Sequence, residues 1–386
     1  MSKLAKLADQ FVLPGEVQTV QAFGAGIIND TYLVSLRHSN GASSGTKNAQ
    51  SASNVILQKI NRHVFPNPEQ IIANYRCIYD HINEQVTTVP LDEGRGFHVP
   101  TLYRTSEGRD YYLDDTGDYW RATRFVENSS VFDTLQSLPQ AEEVGYALGL
   151  FHHLLSNVDI SRLNDTLPGF HVTPQYLGVY DALDKARLLR SASQHNAQHT
   201  EQHVAFCVDS IEAGRPYADV LERAKQRLSM HVIHGDPKLN NILFNQTDGR
   251  AVSLIDLDTV KPGLIHYDLG DCLRSCCNMA GEAPLSSDEL VEFDVNRCRA
   301  ILTGYSRMAR AFLQPADYEF MYDAIWLLPY ELGLRFFSDY LQGNIYFKVT
   351  SEEQNLHRAH TQFQLLRSIQ RQRKTIQEII VQLKNG

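Results

Sequence analysis

Residues 234–241, HGDPKLNN, and residues 255–258, IDLD, decide the fold of this chain. In the first stretch, Asp236 and Asn241 have the Asp-x4-Asn spacing of a kinase catalytic loop. In the second, Asp256 follows a short apolar run, and a carboxylate at the end of such a strand is well placed to ligate a metal ion. Together, the two stretches predict a site for phosphoryl transfer.

The segment between these stretches predicts a β-hairpin. Asp248-Gly249 is a strong turn signal, because a type I′ turn needs a positive φ at both central positions. A hairpin centred there places Asn241 opposite Asp256, and directly opposed Cβ atoms lie about 4.5–5.5 Å apart. An amide oxygen and a carboxylate at that separation can share one Mg²⁺ ion.

These positions predict a role for each residue. Asn241 and Asp256 would hold Mg²⁺ against the nucleotide phosphates, and Asp236 would orient the acceptor hydroxyl and take its proton. Because the transition state is loose, positioning and charge neutralisation matter more than the strength of the base. The alternative is that the spacing arose by chance and that Asp256 caps a turn, since each piece alone is a weak signal.

The motifs His-Gly-Asp-x4-Asn and Ile-Asp-x-Asp resemble those of the aminoglycoside phosphotransferase and choline kinase superfamily. Within it, the chain looks most like the N-acetylhexosamine 1-kinase branch. The motifs that carry this closer resemblance are FGAGIINDTY at residues 23–32, ILQKIN at 56–61, GLRF at 333–336 and YFK at 346–348.

The resemblance implies an α+β, two-lobed protein-kinase-like fold. A small N-lobe on an antiparallel sheet would span about residues 1–127, and a larger helical C-lobe about residues 128–386. The implied cofactors are ATP and Mg²⁺, and the implied partner is a small-molecule acceptor, such as a sugar or amino sugar. The chain itself is expected to be a monomer or a homodimer.

Composition limits the other partners. The net charge is −9 and the sequence contains no long basic tract, which argues against nucleic acid as the main partner. This acidity is also compatible with a cationic acceptor. With 43% apolar residues over 386 residues, substantial cores and two or three domains are expected, at about 150 residues per domain.

The sequence offers no membrane or disulfide signal. The N-terminus is too polar for a signal peptide, and no run of 18 apolar residues could span a membrane, so a cytoplasmic enzyme is expected. The six cysteines form no Cys-x2-Cys pair and are expected to be reduced thiols on packed helices.

Three segments are candidates for nucleotide binding. A glycine turn containing Gly24 and Gly26 can bring backbone amides close to phosphates, although an ordinary hairpin turn has the same pattern. The strand over residues 55–60 offers Lys59 to the phosphates, unless Gln58 takes that position. Glu69, in the first turn of the following helix, is either a partner of Lys59 or a surface acid.

The third segment is a hinge between the lobes. Residues 120–127 are predicted to form a strand that runs into the polar link at 128–130. Backbone groups at the end of a hinge strand can bind an adenine edge, and Phe125, Val126 and Glu127 would supply them. This assignment follows from their order along the chain and from the resemblance.

Two polar pairs invite a catalytic or metal-binding interpretation. Because adjacent residues do not share a helix face, His152-His153 is interpreted as one core and one surface residue rather than a metal pair. Asp268 and Asp271 have the spacing of a capping box, so a structural role is preferred for Asp268. Asp271 is a candidate for the wall of the acceptor pocket.

The acceptor residues come from the resemblance. Relatives among the sugar 1-kinases imply that Arg335 and Tyr346 contact the acceptor sugar. Without the resemblance, Arg335 would be a surface ion-pair partner. The same relatives carry a His in the glycine turn where this chain has Ile27, which leaves the identity of the acceptor open.

The C-terminal part is predicted to be helical. One aromatic-rich helix is expected over residues 324–341 and one long helix over residues 353–383. The long helix would pack on the C-lobe. A coiled-coil dimer helix is the alternative, but the polar run at 371–374 interrupts the heptads.

The leading prediction is therefore ATP- and Mg²⁺-dependent phosphorylation of a small hydroxylated molecule. The first choice of acceptor is the anomeric hydroxyl of an N-acetylhexosamine or related sugar. An aminoglycoside or amino-alcohol phosphotransferase is the nearest alternative, and a non-catalytic nucleotide-binding scaffold is the alternative from another class. A protein kinase is disfavoured because no Asp-Phe-Gly or Ala-Pro-Glu segment follows the catalytic loop.

Overall fold

The computed structural model describes residues 2–24, 28–37, 53–91, 94–183, 198–281 and 291–385. Residues 38–53, whose Ser-, Asn- and Gly-rich sequence predicts a flexible hairpin loop, lie almost entirely outside these ranges. The N-terminal elements are helix α1 (Lys3–Ala8), strands β1 (Glu16–Ala22), β2 (Asp30–Arg37) and β3 (Ser53–Lys59), helix α2 (Pro68–Gln85), and strands β4 (Leu102–Tyr103), β5 (Tyr112–Leu113) and β6 (Tyr119–Arg124).

These strands form one antiparallel sheet. The order is β1-β2-β3-β6-β4, with β5 also paired to β6. Alternation gives the sheet two different faces. On one face, Val34, Val55, Leu57 and Trp120 are buried together with residues of α1. The polar residues of the other face, described below, approach the rest of the protein.

Helix α2 connects the sheet to the larger core. It begins at Pro68, where the missing N–H of proline costs nothing, because the first-turn amides of a helix lack internal partners. Its buried face includes Ile71, Ile78 and Ile82, which belong to the large core of the C-terminal part. The proposed lobe boundary at residue 127 stays a prediction.

The remaining chain is mainly helical. Its elements are strand β7 (Ser129–Ser130), helices α3 (Leu138–Leu154), α4 (Thr173–Ala182), α5 (Gln198–Gly214) and α6 (Val220–Ala224), strands β8 (His231–Ile233), β9 (Ile242–Asn245), β10 (Ala251–Leu254) and β11 (Lys261–Gly263), and helices α7 (Ile265–Cys276), α8 (Val295–Ala309), α9 (Pro315–Leu341), α10 (Gln354–Arg371) and α11 (Arg373–Asn385). The strands form two small sheets, β10-β9-β7 and β11-β8. This arrangement of an antiparallel sheet and a helical part agrees with the predicted α+β fold.

Helices α3 and α8 cross at very short range because each has a glycine at the contact. A Cβ added at Gly145 would lie 1.8 Å from the Ile301 carbonyl oxygen, and one at Gly304 would lie 1.9 Å from that of Glu142. Neither position can accept a side chain without separating the helices. This contact fixes α3, which carries His152 beneath the catalytic loop.

Two predicted helices have different bounds in the structure. Helix α9 begins nine residues before the predicted start, at Pro315, where the backbone N–H of Gln314 donates to the Asp317 carboxylate at 2.7 Å in a capping box. The predicted helix over 353–383 is two helices that meet at Gln372. The Gln372 side chain donates to the Phe293 carbonyl at 2.7 Å, which ties this junction to the core.

No helix in the described ranges is both long and apolar enough to cross a bilayer.

Candidate active site

The β9–β10 hairpin carries the two motifs, but its register differs from the prediction by one residue. The backbone N–H of Ile255 donates to the Asn241 carbonyl at 2.9 Å, so Ile255 rather than Asp256 lies opposite Asn241. The register shifts between Ala251 and Ser253, which adds one residue to β10. In the turn, Gly249 has a φ of 72°, whereas Asp248 is not among the positive-φ residues, so the turn is not type I′.

Asp256 instead reaches the site through an unusual backbone conformation. Its φ of 65° and ψ of 57° are left-handed, which is uncommon for a residue other than glycine. The residue stands between β10 and the short 3₁₀ turn at Leu257–Thr259. Strained conformations of this kind cluster at functional sites.

Asp236 and Asn241 are joined within the catalytic loop. The Asn241 side-chain NH₂ donates to the Asp236 carbonyl at 2.8 Å and lies 3.4 Å from the Asp236 carboxylate. The Lys238 ammonium pairs with that carboxylate at 2.8 Å. Asp236 remains partly exposed and Asn241 is buried. The loop therefore presents a carboxylate to the solvent and the amide of Asn241 behind it.

Asp268 supports this loop from below. Its carboxylate accepts the backbone N–H groups of His234 at 2.6 Å and Gly235 at 2.8 Å. It also lies 2.8 Å from the His152 ring nitrogen. The capping-box prediction was wrong, since α7 begins at Ile265 and Asp268 directs its oxygens to the loop. Asp268 therefore has a structural role, as expected, but it stabilises the catalytic loop rather than the start of a helix.

The two adjacent histidines have different environments. His152 is buried, and its other ring nitrogen lies 3.0 Å from the Tyr305 hydroxyl. His153 is half-buried, and burial lowers its pKa. Within the described residues, no group of three or more His, Cys, Asp and Glu side chains is arranged to hold a metal ion.

The electrostatics around Asp256 suit a cation. The Asp256 side chain is accessible to solvent, but the surrounding protein partly desolvates its carboxylate. This desolvation and the negative charge of Asp258 raise the pKa of Asp256 to about 6. Asp236 adds to the rise, while Lys238 and Arg121 oppose it. A bound Mg²⁺ ion would relieve this repulsion, and the amide oxygen of Asn241 is a hard ligand that such an ion accepts. The residues present therefore fit Mg²⁺.

Arg121 and Asp258 form a buried ion pair that sequence reasoning missed. The distance between the guanidinium and the carboxylate is 2.6 Å, and the two side chains are 2% and 3% exposed. Asn29, which follows the glycine turn, donates to the same carboxylate at 2.7 Å. On the other side, Arg121 donates to the Gln58 amide oxygen at 2.9 Å and 3.1 Å. The second aspartate of the IDLD motif thus links residues 255–258, which we call the metal arm because Asp256 is the proposed ligand, to the sheet.

Gln58 and Lys59, although adjacent, lie on opposite faces of the sheet, and only Gln58 belongs to this network. Gln58 lies on the face of β3 that carries Arg121, whereas alternation turns Lys59 to the opposite face. The Lys59 ammonium lies 3.2 Å from Asp30 and 3.6 Å from Asp118. The structure therefore does not bring Lys59 together with Asp236 and Asn241.

The helix residue proposed as a partner of Lys59 has other contacts. The Glu69 carboxylate accepts the hydroxyl groups of Tyr111 at 2.9 Å and Tyr119 at 3.0 Å. Of the two interpretations offered for Glu69, the surface acid describes it better.

The glycine turn and the hinge lie side by side. Gly24 has a φ of 74°, a conformation that favours glycine, while Gly26 and Ile27 lie outside the described residues. The Phe23 ring, which precedes the turn, lies 5.9 Å from the Phe125 ring in an edge-to-face arrangement. The first and third candidate nucleotide segments, the glycine turn and the hinge, are thus neighbours.

Side chains hold the hinge backbone. The Phe125 N–H donates to the Asn54 carbonyl at 3.2 Å, and the Glu127 carboxylate accepts the backbone and side-chain N–H groups of Asn54, both at 3.2 Å. The Val126 carbonyl accepts the Ser129 hydroxyl at 2.6 Å. The end of β6 is therefore fixed against β3 where an adenine edge would approach.

The structure brings Arg335 and Tyr346, the two proposed acceptor residues, close together. The Arg335 guanidinium lies 5.9 Å from the Tyr346 ring and 5.5 Å from the Phe347 ring. Phe170 and Tyr176 surround it from the other side, at 5.2 Å and 5.0 Å. Desolvation lowers the Arg335 pKa, but nearby Tyr176 and Glu331 outweigh it and raise the pKa overall. The guanidinium thus stays charged within an aromatic cage.

The turn that delivers Tyr346 is held by a carboxylate one helical turn beyond Arg335. Asp339 accepts the backbone N–H groups of Ile345 at 2.9 Å, Tyr346 at 2.8 Å and Phe347 at 3.0 Å. It also accepts the Asn355 side chain at 2.9 Å. Asp339 therefore positions the aromatic wall of the cage.

Two polar links connect this region to the catalytic loop. Glu331, one turn before Arg335, lies 3.0 Å from one ring nitrogen of His171, whose other nitrogen lies 2.8 Å from the Gly235 carbonyl. Asp271 pairs with buried Arg274 at 2.8 Å. Burial, and to a lesser extent the negative charge of Asp236, raises the Asp271 pKa, so the two carboxylates are close enough to interact.

A sequence model of the phosphotransferase enzyme family that includes the aminoglycoside phosphotransferases matches residues 19–310. The chain belongs to this family. It is therefore a small-molecule phosphotransferase, which sets aside the non-catalytic scaffold.

Solved structures show the same fold at low sequence identity. An aminoglycoside phosphotransferase from Alicyclobacillus acidocaldarius subsp. acidocaldarius DSM 446 is similar with a TM-score of 0.59 and 15% identity, covering 98% of this chain and 95% of that chain. A microcompartment-associated aminopropanol kinase has a TM-score of 0.54 and 14% identity, covering 96% and 98%. Spectinomycin phosphotransferase APH(9)-Ia, solved with ADP and spectinomycin, has a TM-score of 0.53 and 13% identity, covering 100% and 98%.

These likenesses confirm the two-lobed protein-kinase-like fold. They do not extend to the N-acetylhexosamine 1-kinase branch, which stays a prediction.

Proposed function

We propose that this phosphotransferase uses ATP and Mg²⁺ to phosphorylate a hydroxyl of a small molecule, namely the anomeric hydroxyl of an N-acetylhexosamine or related sugar. The observation that best supports this proposal is the cluster of Asp236, Asn241 and Asp256. Asp236 offers a partly exposed carboxylate, and Asn241 offers a buried side-chain amide hydrogen-bonded to the Asp236 carbonyl. Asp256, whose backbone is left-handed, has a carboxylate with a raised pKa that interacts with the charge of Asp236. This is the donor set that phosphoryl transfer requires.

In the proposed reaction, Asp236 accepts the proton of the acceptor hydroxyl. A bond forms between the acceptor oxygen and the γ-phosphorus, and the bond from that phosphorus to the β–γ bridging oxygen breaks to release ADP. Lys238, paired with Asp236 at 2.8 Å, would hold the carboxylate in position until the acceptor hydroxyl displaces the ammonium. Bound Mg²⁺, held by Asn241 and Asp256, would supply charge neutralisation at the phosphates.

The nucleotide is proposed to lie between the glycine turn and the hinge. Gly24 and Gly26 would face the phosphates, and the backbone of residues 125–127 would face the adenine. The ADP in the spectinomycin phosphotransferase supports this choice of nucleotide. Because Lys59 is engaged with Asp30 and Asp118, Gln58 is the better candidate for the cleft side of β3.

The acceptor is proposed to lie between Asp236, Arg335 and Tyr346. An aromatic ring beside a guanidinium suits a polyol, because the ring packs on C–H faces while the guanidinium donates hydrogen bonds to oxygens. Asp271 is already paired with Arg274, so its charge is largely balanced. A permanent cation at Arg335 also disfavours a cationic acceptor.

One observation favours the second candidate, an aminoglycoside or amino-alcohol phosphotransferase. Asp271 lies near Asp236, and buried Glu331 lies one turn from Arg335. Such carboxylates could bind an ammonium group if their present partners moved aside.

The test is an acceptor panel. The protein is incubated with Mg·ATP and, separately, N-acetylglucosamine, N-acetylgalactosamine, an aminoglycoside, choline and aminopropanol, and the products are followed by phosphorus NMR. We expect a sugar 1-phosphate. Phosphate on an aminoglycoside, choline or aminopropanol would retain the chemistry but overturn the acceptor assignment.

A further inference from the structure

A cavity of about 620 Å³ is lined from two separate parts of the chain. One wall contains Ile28, next to Asn29, which donates to the buried Asp258. The opposite wall contains Lys348, which follows Phe347 of the Arg335 cage. The cavity therefore lies between the end of the glycine turn and the turn that carries Tyr346.

The cavity has a surplus of positive charge although the whole chain carries −9. Three cations, Lys59, Arg62 and Lys348, face two carboxylates, Asp30 and Asp118, so one positive charge is uncompensated. The Lys59 ammonium contacts both carboxylates but offsets only one of their two negative charges. The positive surplus therefore depends on Arg62 and Lys348 together.

Neither of these two side chains pairs with a carboxylate in the described part of the chain. The Arg62 guanidinium donates to the Gly117 carbonyl at 2.8 Å, which orients it but leaves its charge unbalanced. Lys348 is exposed, while its backbone carbonyl accepts Arg358 at 3.3 Å and the preceding turn is held by Asp339. The backbone that carries Lys348 is thus fixed independently of its ammonium.

We propose that this cavity is an anion-binding subsite in which Arg62 and Lys348 bind a phosphate or carboxylate substituent of the acceptor. The proposal rests on the proposed function and narrows it to acceptors with an acidic group remote from the reacting hydroxyl. In a hexopyranose, C6 is attached to C5, which is joined to the anomeric carbon through the ring oxygen. An acidic group at position 6 therefore leaves the anomeric hydroxyl free to react and is a suitable probe of this subsite.

The test compares matched sugars that differ only in the acidic group. N-acetylglucosamine 6-phosphate is compared with N-acetylglucosamine, and glucuronic acid with glucose. Binding is measured by calorimetry with Mg·ADP present, so that the nucleotide phosphate site is filled, and turnover is measured with Mg·ATP. We expect one or both anionic sugars to bind about tenfold more tightly than the matched neutral sugar, about two to fivefold for each cation. The pair that responds distinguishes phosphate from carboxylate.

Variants test whether Arg62 and Lys348 cause the preference for anionic sugars. Lys348→Gln and Arg62→Gln should each reduce the ratio of anionic to neutral affinity about two to fivefold, and Arg62→Lys should retain part of it. Lys374→Gln is the matched control, since Lys374 is 92% exposed on α11 and pairs only with Glu378 of the same helix. This control should keep the wild-type ratio.

The outcomes separate the two proposals. Equal affinities within both pairs, or a preference that survives Lys348→Gln and Arg62→Gln, would overturn the subsite. Phosphorylation of the neutral sugar alone would then leave the proposed function standing. An anionic preference that the variants abolish, without transfer to any sugar, would support the subsite and reject the proposed acceptor chemistry. Binding of none of the four sugars would overturn both.

Discussion

Arg121 on the central sheet and Asp258 beside the metal-arm residue Asp256 form a buried ion pair with a separation of 2.6 Å. The pair joins a strand of the N-terminal sheet to the loop that presents Asp256. Because Asn29 donates to the same carboxylate, the end of the glycine turn is included in the link. These buried contacts therefore tie the segment that carries Asp256 to the N-terminal sheet.

Removing the cation from this pair should destabilise the protein strongly. Arg121→Met leaves Asp258 buried without its counter-charge, so the free energy of unfolding should fall by about 3–5 kcal/mol in urea denaturation. Arg121→Lys should also lose stability, because an ammonium cannot contact Asp258 and Gln58 as the guanidinium does. The matched control is Arg223→Met, which removes an exposed helical ion pair with Asp219 and should cost less than about 1 kcal/mol. Equal losses for Arg121→Met and the control would contradict this account.

Asp268 should be essential for the shape of the catalytic loop. In Asp268→Asn, the new NH₂ group cannot accept an N–H, so one of the amides of His234 and Gly235 loses its buried acceptor. We expect the free energy of unfolding to fall by about 2–4 kcal/mol, and the transfer rate to fall with it. Asp219→Asn, at an exposed position, is the control. A variant with wild-type stability and activity would show that Asp268 does not position the loop.

The raised pKa of Asp256 predicts a pH dependence of stability in the absence of metal. The folded protein titrates this group at about 6 and an ordinary Asp titrates at 3.8, so the folded state binds more protons between these values. The contribution of Asp256 to stability is therefore present below about pH 4 and is lost as the pH rises through 6. Thermal unfolding in EDTA should show a weaker decline over this window for Asp256→Asn than for wild type.

The same variant has a second readout. Mg²⁺ with ADP should raise the melting temperature of wild type at pH 8 more than that of Asp256→Asn, because the ion needs the carboxylate. Identical pH profiles and identical responses to Mg²⁺ in the two proteins would exclude Asp256 as a ligand.

Replacing Asp339 should weaken the binding of the acceptor and leave the binding of the nucleotide unchanged. In Asp339→Asn, the oxygen that accepts the Phe347 N–H can become an NH₂ group, which loosens the turn carrying Tyr346. We expect the KM for the acceptor to rise about tenfold, while the affinity for Mg·ADP stays unchanged. Glu319→Gln, at an exposed position on the same helix, is the control. A change in kcat alone, with no change in KM, would argue against a positioning role.

The sequence predicted the parts of the fold that depend on local patterns. Spacing selected Asp236, Asn241 and Asp256 as candidates, and the strands predicted over residues 55–60 and 120–127 correspond to β3 and β6. The hairpin register was wrong because the turn is centred on Thr247-Asp248, one residue before the predicted centre, and the extra residue in β10 restores only half of the resulting offset. The left-handed backbone of Asp256 has no signal in the sequence.

Long-range polar contacts were beyond sequence reasoning. Arg121 and Asp258 are 137 residues apart, and alternation alone did not indicate which face of β3 would meet the metal arm. His171 and Glu331, which brace the catalytic loop from the acceptor side, are separated by 160 residues. The one available signal was the second aspartate of IDLD, since a carboxylate two residues from a proposed metal ligand must either bind the metal or find a cation.

The most direct test of the central claim is the effect of Asp236→Asn on transfer from Mg·ATP to N-acetylglucosamine, followed by phosphorus NMR. The account predicts that the variant keeps its affinity for Mg·ADP while formation of the sugar 1-phosphate falls about 100- to 10,000-fold, because the base that takes the hydroxyl proton is lost. A variant that forms product at the wild-type rate would contradict the assignment of Asp236 and, with it, the proposed mechanism.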